Sequence, residues 1–64
     1  MMYRAVEFDD LLGPTTEWTS VHALQTWAAD RGWIIQRVKS ERDGTISYIL
    51  SDEHGQIARI EPQS

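Results

Sequence analysis

The chain has no cysteine, so no disulfide can staple the fold and no thiolate can act as a nucleophile or soft metal ligand. That fits a reducing compartment. Proline occurs only at Pro14 and Pro62, and Gly13, Gly32, Gly44 and Gly55 stand singly rather than in the clusters that cradle phosphate. No apolar run approaches the roughly 20 residues of a membrane span. The first residues, with Arg4, Glu7, Asp9 and Asp10, lack the apolar stretch of a secretory signal. The expected location is cytoplasmic, with no membrane partner. Basic residues are also scarce, 6 Lys and Arg against 10 Asp and Glu, for a net charge of −4. This deficit opposes nonspecific nucleic-acid binding, which depends on cations neutralising phosphates.

At 64 residues the chain is expected to form one small domain over 1–64, with 61–64 as a frayed tail. A domain of this size buries only about 60% of the surface its unfolded chain exposes, so packing or a partner must stabilise it. Hydrophobic residues make up 41% of the chain, enough for a core and against disorder. The acidity is concentrated in one half. Residues 1–30 carry Arg4 against Glu7, Asp9, Asp10, Glu17 and Asp30, whereas 31–64 balance.

Residues 2–8 alternate as a strand, with Met2, Val6 and Phe8 on the apolar face, Arg4 the misfit there, and Tyr3, Ala5 and Glu7 opposite. Asp9 to Glu17 contains Gly13-Pro14 and reads as a long loop. Thr19-Ser20 offers helix caps, and Val21, Leu24 and Ala28 then form a stripe with Trp27 at its margin. Gly32 supplies the stop, so a helix is expected over 20–31, with Trp18 as a staple against Leu24. Strands follow at 33–39, 45–51 and 56–61, divided by Asp43-Gly44 and Asp52–Gly55 and ended by Pro62. The fold class is α+β in the order β-α-β-β-β, one helix on a mostly antiparallel sheet of three to four strands. The first strand lies at an edge of the meander or beside it, and an exposed edge is a pairing site for another chain.

No constellation points to catalysis. Asp9 and Asp10, adjacent in an extended segment, face opposite sides. His22 and His54 are far apart and lack metal-ligand spacing. Ser20 is a cap, and a domain this small has little room for an enzyme's pocket. The expectation is a non-enzyme without cofactor or metal.

The run Val21 through Gly32-Trp33 to Arg37, and on to Tyr48 and Asp52, resembles the helix, Gly-Trp and meander layout of HicA-type toxins and, more remotely, of double-stranded-RNA-binding domains. The resemblance covers about half the chain and implies topology. Where HicA-like proteins place Gly-Ser-His, this chain reads Lys39-Ser40-Glu41-Arg42.

Each of the three tryptophans taken singly fits the core, but three are hard to bury fully in 64 residues, so at least one is expected to be exposed, and tryptophan is enriched at interface hot spots. The leading expectation is a small acidic protein-binding module, an accessory or inhibitory protein of the kind that mobile genetic elements such as phages encode. Its contact surface would comprise Asp9, Asp10, Glu17, Trp18 and Trp27. One alternative is a nucleic-acid-binding domain using Arg37, Lys39 and Arg42 with Trp33 and Tyr48 nearby, although the favoured reading of these cations is a solvated edge paired with Glu41, Asp43 and Asp52. A second is a structural homo-oligomer joined by an edge strand.

Overall fold

Ser20 starts the helix: its backbone is extended and its Oγ accepts a hydrogen bond from the Ala23 N–H at 3.0 Å. The helix, α1, spans Val21–Asp30. Beyond Arg31 the chain reverses through Gly32 at φ +72°, a conformation glycine adopts without Cβ strain. The Gly32 N–H then donates to the Ala29 carbonyl at 3.0 Å and the Trp33 N–H to the Ala28 carbonyl at 3.0 Å, the paired bonds of a Schellman stop. Both boundaries match the sequence expectation, because each is set by residues within one turn.

The computed structural model, which describes residues 1–63, lays this helix on a five-stranded antiparallel sheet. The strands are β1 (Met2–Phe8), β2 (Glu17–Trp18), β3 (Ile34–Lys39), β4 (Ile46–Asp52) and β5 (Gly55–Gln63), in the order β2-β1-β5-β4-β3. The α+β class and the β3-β4-β5 meander agree with the sequence. The strand count does not. The segment Asp9 to Glu17, expected as a loop, contains a 3-10 turn, Asp10–Leu12, and runs into β2, whose Glu17 and Trp18 pair with Arg4 and Tyr3. β1 therefore runs between β2 and β5, and the long free edge belongs to β3.

The core lies between helix and sheet. Leu24 and Ala28 descend onto Ala5, Trp18, Leu50, Ala58 and Ile60, with Leu12 and Ile57 closing one end. Leu24, Leu50 and Ile60 are completely covered, each burial contributing roughly 1.5–3 kcal/mol. The apolar face expected for β1 is the wrong one: Ala5 is buried and Tyr3 packs against the core, while Met2, Val6 and Phe8 are exposed. The pairing of Ala5 with the buried Ile60 sets this face, and a bulge follows it. Ala5 pairs with Ile60 but Glu7 pairs with Arg59, so Val6 is the additional residue and Glu7 turns away from the helix. A second register shift, between Leu50 and Ser51 of β4, leaves Ile57 as the additional residue in β5 and buries Ile57 and Ala58 together.

The frayed end expected over 61–64 is a strand as far as Gln63. Glu61, Pro62 and Gln63 pair with Arg4, Tyr3 and Met2, and Ser64 lies outside the described residues. Pro62 is tolerated because its missing N–H would point towards β4, whose pairing with β5 stops at Tyr48 and Ile60.

Candidate functional site

Trp18 is one of the covered residues, at 5% exposure. Its ring meets that of Trp27 edge to face at 5.0 Å, and Trp27 meets Trp33 in the same manner at 5.4 Å. The Arg31 guanidinium lies 4.1 Å from the Trp27 ring centroid and donates to the Trp27 carbonyl at 3.1 Å. The three indoles thus tie β2, α1 and the start of β3 together. The Nε1 atoms of Trp18 and Trp27 are buried without an acceptor among the described residues. Trp18, expected at a protein contact, is an internal strut.

The acids expected beside it are not gathered there. Asp9 caps the 3-10 turn, its Oδ1 accepting from the Leu11 N–H at 2.9 Å, and Asp10 is exposed in that turn beyond the end of β1. Glu17 pairs with Arg4 at 2.8 Å on the sheet face away from the helix, while Trp18 faces inward. The five residues Asp9, Asp10, Glu17, Trp18 and Trp27 therefore form no common surface. His22 and His54 are both exposed, and among the described residues no three His, Cys, Asp or Glu side chains converge.

A charged row on the open face was not anticipated. Arg59 of β5 bonds Glu7 at 3.0 Å and also Glu61, and Glu61 stands opposite Arg4, which in turn holds Glu17. The hydrogen bond that Arg59 donates to the Glu7 carboxylate keeps the Arg59 pKa above its ordinary value. Pattern alone could not reveal this row, because the bulge at Val6 decides which face Glu7 joins.

Arg37 and Lys39 lie together on β3. Arg37 stands opposite Tyr48 and Lys39 opposite Ile46, so both project on the helix side of the sheet, at the end the helix leaves uncovered. Arg42 lies in the following turn. Among the described residues none of the three forms an ion pair, so the expected pairing with Glu41, Asp43 and Asp52 is not made. Asp43 instead accepts from the Thr45 hydroxyl at 2.8 Å and the Thr45 N–H at 3.1 Å. Next to this basic strip an open groove of about 270 Å³ is lined by Met1, Tyr3, Gly44, Ile46, Tyr48 and Pro62. Tyr3 and Tyr48 meet there edge to face at 6.0 Å.

The outer side of β3 has unused backbone groups. Ser40 donates to the Thr45 carbonyl at 2.8 Å, which directs Ser40 towards β4. By the alternation of an antiparallel ladder, Val38, Gln36 and Ile34 also bond inward, and Lys39, Arg37 and Ile35 present N–H and C=O outward. Trp33 obeys the same parity: its N–H leaves the sheet to reach Ala28. No backbone partner meets the outward groups of Ile35, Arg37 and Lys39 among the described residues. In comparisons with protein families, with characterised proteins and with solved structures, the chain matches none.

Proposed function

We propose that this chain is a protein-binding module that takes an extended segment of its partner along the edge of β3. One observation carries the proposal: six consecutive strand residues, Ile34–Lys39, form an edge free of bulge and proline, with three outward N–H and C=O sets unpaired. Strand addition to such an edge gives affinity through main-chain hydrogen bonds and specificity through alternate side chains. A module this small that occupies a partner's extended segment acts as an accessory or inhibitory subunit, which is the expected class with its contact surface moved from the acidic loop to β3. Arg37→Pro tests it, since Arg37 bonds outward and proline there removes a docking donor without breaking the ladder to β4. Partner capture from the encoding organism's lysate is expected to fall at least tenfold for Arg37→Pro and to persist for the Asp9→Asn/Asp10→Asn double variant. Equal capture by wild type and folded Arg37→Pro refutes the proposal.

A second reading, single-stranded nucleic acid, draws on the side-by-side placement of Tyr48, Tyr3, Arg37 and Lys39 on the uncovered half-face. It requires salt-sensitive retention of an oligonucleotide, lost on Tyr48→Ala.

A further inference from the structure

From the two faces of β3 we infer the chemistry of the segment it accepts: an extended protein segment that alternates aliphatic with acidic residues. The inference rests on the proposal that the β3 edge is the docking site. Ile34 and Val38 lie on the open face of the sheet, 67% and 40% exposed, with Gln36 between them. Ile35, Arg37 and Lys39 lie on the helix face, where the two cations have no acidic partner. A strand added to this edge sets alternate side chains against these two rows. Opposite-charge pairs across adjacent strands stabilise and like charges oppose. Acidic residues therefore fit against Arg37 and Lys39, and aliphatic residues against Ile34 and Val38.

The same rows disfavour a second copy of this chain. Antiparallel self-pairing must match the outward residues Ile35, Arg37 and Lys39 with one another. Centred on Arg37, it sets Arg37 against its own copy. Centred on Val38, it sets Arg37 against Lys39. Centred on Gln36, it gathers both Arg37 and both Lys39 side chains on one face with no acid beside them. Centred on Ile35, it matches Arg37 with Trp33, whose N–H is already committed to Ala28. Charged side chains commonly protect edge strands from self-association, and here their sign also selects the partner.

Three blocked nine-residue peptides serve as probes: alternating Val-Glu, alternating Val-Lys, and a scramble of the first. Hydrogen exchange and amide chemical shifts of the full chain are followed by NMR as each is added at 20–150 mM salt. The Val-Glu peptide is expected to protect the amides of Ile35, Arg37 and Lys39, leaving Ile34, Gln36 and Val38 unchanged because they already bond β4. It is expected to bind at least tenfold more tightly than the other two, and Arg37→Glu/Lys39→Glu should transfer that preference to Val-Lys. Protection of the odd-numbered amides with no preference among peptides overturns the acidic specificity and leaves edge docking intact. No odd-amide protection by any peptide overturns both. Concentration-dependent dimerisation through the same amides overturns the inference in favour of a second copy. Stronger shifts at Tyr3 and Tyr48 with oligo-U than at β3 with Val-Glu overturn it in favour of nucleic acid.

Discussion

Asp43 closes the β3-β4 turn through its two hydrogen bonds from Thr45, and these, the hydroxyl first, hold its carboxyl below the ordinary 3.8. A pKa lower in the folded state than in the unfolded state means that folding favours the ionised form. The associated stability is present above 3.8 and is lost as pH falls through the lower folded value. Asp43→Asn keeps an acceptor but removes the charge. Its urea midpoint is expected below that of wild type at pH 6, with the charge-dependent part of the difference gone by about pH 2. A difference constant across that range would assign the effect to hydrogen-bond geometry alone. Asp43 is legible as a turn residue from Asp43-Gly44, whereas the strand that carries Trp18 is not. A two-residue strand has no periodicity of its own, and the partners that bury Trp18 lie on β1 and α1.

Elements closed by neighbouring residues were legible, and elements closed by distant partners were not. The helix shows the first case, since Ser20 and Gly32 mark both ends within the local sequence. A Cβ built at Gly32 meets nothing within 4 Å, so its role is conformational rather than steric. Gly32→Ala is therefore expected to destabilise the domain by about 1–2 kcal/mol, the cost of a left-handed Cβ. In a domain near this size that corresponds to a thermal midpoint lowered by roughly 4–16 °C. A midpoint within 1 °C of wild type would show that the helix stops by another route. β1 shows the second case. Its alternation favours Met2, Val6 and Phe8 as the core face, but the pairing of Ala5 with the buried Ile60 and the packing of Tyr3 on Tyr48 select the other, and the bulge opposite Arg59 keeps Glu7 off it. The candidate site fared similarly: Arg37 and Lys39 were identified as a basic strand, but their lack of acidic partners and the openness of the edge depend on sheet order.

For the whole molecule, the sheet order makes the chain's last described residues the pairing partners of its first strand. A domain of 64 residues has a total stability of roughly 3–10 kcal/mol, so the loss of a few cross-strand pairs is a large fraction. Truncation after Ile60 removes the partners of Met2, Tyr3 and Arg4, takes Glu61 from Arg59 and strips Pro62 from the wall of the tyrosine groove. The expected result is a loss of about 2 kcal/mol or more by urea denaturation, together with faster amide exchange in β1. A frayed tail predicts no change in either measurement, and an unchanged urea midpoint would restore that view. Pro62→Ala separates the strand from the residue. The N–H that alanine adds points towards β4, beyond its last pair with β5, so no ladder bond is gained and stability is expected to stay within about 0.5 kcal/mol of wild type. A large loss in the truncation beside a small change in Pro62→Ala would locate the contribution of residues 61–63 in the pairing of β1 with β5.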